Sequence, residues 1–301
     1  MPMTNNSIHL LKKLSKNWSI EVTPSSASKI ENFSSILNEG TKVNVTFLPG
    51  SDFTSLTSVC KKLYNEGMFP VPHISARGIK NIDELDSVLK NLSTESKVKE
   101  VLVIAGSLSK PKGEFSETMQ ILNSGLLQKY GVTKVGVAGH PEGSPDIKPE
   151  LVRQALEFKN EWSKKEGIPV YLETQFAFDA KPVLDWEKEI RLLGNKLSIH
   201  VGIPGPATIK TLFQFAKASG VGASMRMLTK QARNITKLLT VQSPDKYILG
   251  LAKGVNSDSE CLIKKLHYYP FGGFKKTADW AYKLENGSII INENDSFQLI
   301  E

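Results

Sequence analysis

Residues 134–175 read KVGVAGHPEGSPDIKPELVRQALEFKNEWSKKEGIPVYLETQ, and they hold one complete repeating unit of the fold. KVGVAGH (134–140) alternates β-branched and small residues as a strand does. HPEGSP then breaks it with a run of turn formers. From Lys148 the period changes: in KPELVRQALEFKNEWSKKEG apolar residues recur at three- and four-residue intervals, and Gly167 stands where a helix stops. PVYLETQ (169–175) opens the next strand. Strand, loop, helix, strand is the crossover unit of a parallel sheet.

The same alternation runs through the chain. Strands are expected at WSIEVTP (18–24), KVNVTFLP (42–49), PVPHISA (70–76), EVLVIAG (100–106), KVGVAGH, PVYLETQ, LSIHVGI (197–203) and LHYYPFG (266–272). Helical patterns lie between them in NIDELDSVLKNL, GEFSETMQILNSGL, VLDWEKEIRLLG and TIKTLFQFAKASG. Eight parallel strands with crossover helices close most simply as a (β/α)8 TIM barrel. The expected organisation is one barrel domain over 1–301, with an N-terminal extension at 1–17 and a helical insertion at 221–265 before strand eight. That insertion is expected to carry helices at LTKQARNITKLLT and SDSECLIKKL.

Composition narrows the class. A chain of 301 residues, 40% hydrophobic, can bury one large core. It has no apolar run of about 18 residues, and the island Ile8–Leu11 is too short for a signal segment, so a soluble cytoplasmic protein is expected, off the membrane. Cys60 and Cys261 lack any spacing for zinc or a disulfide framework. The net charge of +7 suits an anionic ligand, but the lysines are dispersed, which argues against nucleic acid. Association of identical chains stays open.

Successive strand residues point to opposite faces. One face gathers Ile20, Val22, Val43, Val45, Phe47, Leu102, Ile104, Val135, Val137, Val170, Leu172, Ile199 and Val201, as packing against outer helices requires. The other carries Glu21, Thr23, Asn44, Thr46, His73, Ser75, Ser107, Ala138, His140, Glu173, Gln175, Ser198 and His200. A barrel interior is normally filled by branched apolar side chains, so a polar inner face predicts a lined cavity at the C-terminal strand ends. A self-satisfied hydrogen-bond network is the plainer alternative for any one of these residues.

Six motifs in register make the expectation more specific: SIEVTPS, VTF, PHISARG, GVAGHPEGSPD, ETQFAFD, and GIPGP followed by a helix bearing Phe215. Together, over about residues 18–285, they resemble the methylenetetrahydrofolate reductase family. The resemblance implies a TIM barrel that binds FAD and passes a hydride between NADH or NADPH and tetrahydrofolate derivatives, interconverting 5,10-methylenetetrahydrofolate and 5-methyltetrahydrofolate. It implies Glu21 as the catalytic acid, in a strand setting able to raise a carboxyl pKa. Gln175, Phe215 and Ser107 fall at folate-binding positions beside Glu21, and Thr46, His73, Ala105, Ser107, Ala138, His140, Ser144 and Lys164 at flavin-contacting ones. The narrowing to Ala138-Gly139 would let a flat cofactor approach the backbone.

The departures are chemical. Ala105, Gly106 and Ser107 stand where the family has Arg-Gly-Asp, His140 replaces a Tyr, and Ser144 replaces a His. Loss of the carboxylate at Ser107 would favour the methyl-oxidising direction. Loss of flavin contacts leaves two alternatives, flavin-independent hydride transfer between nicotinamide and folate, and a folate-binding barrel without turnover. His73, His140, His200 and His267 on four strands raise a remote fourth reading, a barrel metallohydrolase, although strand one lacks a His-x-His.

Overall fold

The expected strands form, and they pair in the order of the sequence. The computed structural model describes residues 2–48, 50–143, 147–219, 238–293 and 295–300. In it β1 (Ser19–Val22), β2 (Lys42–Val45), β3 (Phe69–Ser75), β4 (Glu100–Ile104), β5 (Lys134–Gly139), β6 (Val170–Phe176), β7 (Ser198–Pro204) and β8 (Ile263–Tyr269) close into one parallel barrel, β8 returning to β1. Helices connect them: α1 (Pro2–Leu14), α2 (Pro24–Ala27), α3 (Phe53–Asn65), α4 (Ile82–Ser96), α5 (Thr118–Leu122), α6 (Leu126–Lys129), α7 (Pro149–Glu166), α8 (Ala180–Leu192), α9 (Ile209–Ser219), α10 (Asp245–Ser257) and α11 (Phe274–Asn286). The fold is a (β/α)8 TIM barrel. No described helix is long and apolar enough to cross a membrane.

Two compact units are distinguished. One comprises Ser19–Ala138 and Arg153–Leu172, the other Met1–Trp18, Gly139–Val152 and Glu173–Glu301. The first holds β1–β5 and the second holds β7, β8 and most of β6.

In the β1–β5 unit the strand register decides which side chains face inward. Glu21 pairs with Asn44, Asn44 with Val71, His73 with Leu102, and Leu102 with Gly136. Paired residues of parallel strands share a face. Leu102 and Ile104 therefore lie on the inner side with His73 and Ser75, and the expectation that they face the outer helices is wrong. EVLVI is apolar on both faces, as a strand covered on both sides is, so alternation gave no phase there. A Cβ on Gly136 would stand 2.6 Å from Leu102 Cδ1 and 2.6 Å from the Tyr171 ring. These two side chains fill the space that a larger residue at 136 would need.

Two helix expectations change. GEFSETMQILNSGL carries only the short α5, and α6 begins at its last residue, because Gly125 takes a left-handed φ of 73° between the two. SDSECLIKKL is not a helix: α10 ends at Ser257, and Asp258 turns the chain by accepting a bond from the Glu260 N–H. Ile263 already belongs to β8, where it is buried. Within the insertion, 220–237 lie outside the described residues, and most of LTKQARNITKLLT falls there. Beyond it, Val241–Gln242 ladder with Ala207–Thr208.

The N-terminal extension is the helix α1, which packs on α10 and α11 within its unit and buries Leu11 and Leu14. Trp18 follows it. Its indole Nε1 donates to Glu285 Oε2 at 3.1 Å, and its ring meets Tyr268 and Tyr282 edge-on. This attaches the extension to β8 and α11.

Gly136→Ala should destabilise the protein by about 1–3 kcal/mol through overpacking against Leu102 and Tyr171. Urea titration checks it, and an unchanged midpoint would show that those side chains give way freely.

Candidate functional site

The polar inner residues of the β1–β5 unit gather around Glu21. Its carboxylate Oε2 lies 3.8 Å from His73 Nε2, with side-chain exposures of 14% for Glu21 and 6% for His73, so the acid keeps a little access to solvent while the imidazole is enclosed. Asn44 and Ser75 are buried on the same inner face. Thr46, just past β2, is tied to β1 by its N–H on the Val22 carbonyl at 2.9 Å. Its hydroxyl is buried without a hydrogen-bond partner among the described residues, which marks it as a group available to a ligand.

Thr23 does not join this set. It caps α2, accepting the Ser26 N–H at 3.1 Å.

The loop after β4 is fixed by the strand-three motif. Arg77 donates from Nε to the Ser116 carbonyl at 3.0 Å and from Nη1 to the Leu108 carbonyl at 3.1 Å. Gly106 has φ 90°, and a Cβ there would lie 2.1 Å from Ser75 Oγ, so only glycine fits between the two strand ends. Ala105 is half-buried beside it, whereas Ser107 is exposed in the following bend, off the inner face expected for it.

Lys164 is not where a cofactor contact would need it. It is exposed in the last turn of α7, which leads through Gly167 into the first residues of β6, at the strand-start side of its unit. The buried lysine of that helix is Lys159, missed in the sequence although it lies in the apolar stripe between Leu156 and Trp162. It is 7% exposed, and its Nζ reaches the Ala138 carbonyl at 3.5 Å, beside the end of β5. Burial pushes its amine down to about 8.

In the unit carrying β7 and β8, Glu173 and His267 form a second acid–imidazole pair, Oε2 to Nδ1 3.5 Å, both fully buried. His200 is buried, and His140 and Glu142 are half-buried past the end of β5. Gln175 turns its Oε1 toward the Phe176 N–H at 3.4 Å. Phe215, 40% exposed on α9, stacks on Phe271 with ring centroids 4.1 Å apart and 18° between planes. Ser144 lies outside the described residues. Among the described residues no group of three or more His, Cys, Asp and Glu is placed to hold a metal ion.

A separate open groove of about 840 Å³ runs past Ser25, Leu48, Ser51 and Ser58. Among the described residues that line it Asp52 alone is charged; it caps α3 through the Ser55 N–H and hydroxyl, and these bonds hold its carboxyl below the usual range. Thr23 lines it, but none of the described residues expected at the folate or flavin positions does.

Fold and inward polar residues together define a TIM barrel with an acid–imidazole pair in each unit. Among solved structures the chain is similar to an uncharacterized protein from Clostridium thermocellum that binds two copies of 5-methyl-5,6,7,8-tetrahydrofolic acid. Identity is 14%, coverage 89% of this chain and 93% of that one, and the TM-score 0.56. It is also similar to a family 18 chitinase from Crocus vernus (9% identity, 89% and 96% covered, TM-score 0.48) and to the chitinase RmChi1 from Rhizomucor miehei (10%, 90% and 100%, 0.48). No protein-family model matches the chain.

The low amine pKa of Lys159 means that its charged form costs stability below about pH 8, a cost that fades as pH rises from there toward the ordinary lysine range. Lys159→Met should therefore stabilise the fold by about 1–3 kcal/mol near neutrality, and by less at about two pH units above the amine's folded value. Denaturant titrations at the two pH values decide it. A destabilised variant near neutrality would assign the ammonium an attractive partner in the fold.

Proposed function

We propose that this barrel binds a reduced folate and interconverts its methylene and methyl forms, with Glu21 as the proton donor. The observation that carries the proposal is the Glu21 carboxylate itself, turned inward from β1, nearly enclosed, and paired with His73. Opening the methylene bridge of a folate toward its 5-methyl form breaks the bond from the bridge carbon to N10, the nitrogen outside the pterin ring, so a proton must be delivered to N10 as that bond breaks and a hydride to the carbon left on N5; a carboxylic acid at an enclosed strand position is suited to the proton delivery. His73 holds the other side of the proton exchange. It keeps the carboxyl oriented on the inner face and can return a proton to it between turnovers.

Support for folate as the ligand comes from the register of the six family motifs and from the ligand of the Clostridium thermocellum barrel. The family resemblance assigns Gln175 of β6 a pterin contact. Phe215 supplies an exposed ring for the flat parts of the ligand.

The expected flavin set fits only in part. The unpartnered hydroxyl of Thr46 and the small Ala138 suit a flat cofactor, but Lys164 is displaced to the opposite side of its unit, and Ala105 and Ser107 offer neither a guanidinium nor a carboxylate. The proposed proton transfer does not depend on FAD, and NADH or NADPH is an equally suited electron partner. A folate-binding barrel without turnover is the second reading, favoured by the exposed position of Ser107. The visible spectrum of the purified protein distinguishes flavin from nicotinamide as the hydride source.

Glu21→Gln should lose folate-linked turnover by about 100-fold or more while keeping 5-methyltetrahydrofolate affinity within a few-fold. Steady-state kinetics and calorimetry of the same variant test both halves. Undiminished turnover would remove Glu21 from the mechanism, and a wild-type protein that binds folate without turning it over would select the second reading.

A further inference from the structure

The exposed ring of Phe215 is the outer member of a built stack. Phe271, half-buried at the end of β8, covers one of its faces, and Tyr269 stacks behind Phe271 at 5.7 Å and 24°. Tyr269 is itself anchored by its hydroxyl, which donates to the Thr174 carbonyl at 3.0 Å. Phe176 closes the stack from the side, edge-on to both Tyr269 and Phe271.

The backbone that carries Phe271 has little room to move. A Cβ on Gly272 would lie 1.9 Å from the Pro206 carbonyl, and one on Gly205 would lie 2.3 Å from Thr277 Oγ1. Gly205 N–H and Phe271 N–H both donate to the Tyr269 carbonyl, each at 2.8 Å. The turn after β8 is therefore pressed against the turn after β7 at Gly272, while Gly205 leaves room for Thr277 of α11, and Phe271 is delivered to one position.

We infer that Phe271 is a positioning residue that fixes the Phe215 ring as a ledge with a single open face, on which a planar heteroaromatic ligand stacks. An exposed phenylalanine on a helix would otherwise exchange among rotamers, and ordering it would cost part of the stacking energy. Phe271 removes that cost before the ligand arrives. For its ligand the inference rests on the folate reading above, but the positioning itself is measurable without any ligand.

The test uses the full chain with 4-fluorophenylalanine at position 215. Its fluorine resonance should be displaced by the ring current of Phe271, and Phe271→Leu should move it toward the position of the free amino acid, with the fold checked by circular dichroism. Phe271→Met, whose flexible side chain repacks readily, gives the same comparison should the leucine variant not fold. In calorimetry with 5-methyltetrahydrofolate, Phe271→Leu and Phe215→Leu should each weaken binding by about 3- to 10-fold. The double variant should be no worse than either, and Phe271→Tyr should restore binding. A fluorine resonance indifferent to residue 271, or additive losses in the double variant, would overturn the inference. A wild-type protein that binds no folate would instead overturn the folate reading, while the fluorine measurement would still decide the role of Phe271.

Discussion

The in-register hydrogen-bonded ladder of the parallel strands is the constraint on which everything else depends. Because paired residues share a face, fixing Glu21 opposite Asn44 and His73 opposite Leu102 fixes the identity of every inward side chain from β1 to β5. A slip of one residue in β1 would send Glu21 to the helix side and bring Ile20 and Val22 inside. The apolar burial of those two residues, each nearly complete, is what resists the slip. Placement of the candidate acid is thus enforced by the hydrophobic side chains on either side of it.

The inner face is graded along the strands. In the β1–β5 unit, Leu102 and Tyr171 fill the space over Gly136, while Ser75, Thr46 and the small Ala138 lie nearer the strand ends. Packed layers of this kind support a site by leaving polar groups only where a ligand or solvent can satisfy them. Thr46, with its buried and unpartnered hydroxyl, marks the level at which the packed interior gives way. Lys159 reaches a similar level from outside the strands, its Nζ at the Ala138 carbonyl, and its depressed amine is the electrostatic cost of that position.

The strands were legible because most of them alternate sharply, as in SIEV and SIHV, and alternation survives any uncertainty about ends. EVLVI carries no polar residue between Val101 and Ile104, so its phase could be read only from its neighbours. Lys164 stands apart from the motifs at the strand ends, a loop and most of α7 beyond the end of β5, and the lengths of such connections vary freely. Lys159 could have been found by another route: a lysine within an apolar helical stripe is either snorkelling or functional, and sequence cannot choose between them. SDSECLIKKL misled because its apolar spacing suits a short helix, and the stop is made by the Asp258 side chain, which also pairs with Arg191 of α8. That is a tertiary contact.

The acid and the aromatic ledge are supported in different ways, each suited to its task. Glu21 sits on a strand whose backbone is bonded within its own ladder, where displacement would break register, and a proton donor needs that rigidity because transfer depends on a fraction of an ångström. Phe215 is on a helix and acts over a whole ring face, for which angular order matters more than exact position. Its order comes from other rings and, through them, from Gly272, where the turns after β7 and β8 approach too closely for any side chain, and from Gly205, which leaves room for Thr277 of α11. A residue of any size at 272 would push the turn off the Pro206 carbonyl and carry Phe271 with it. The ledge is therefore encoded in two positions that have no side chain at all.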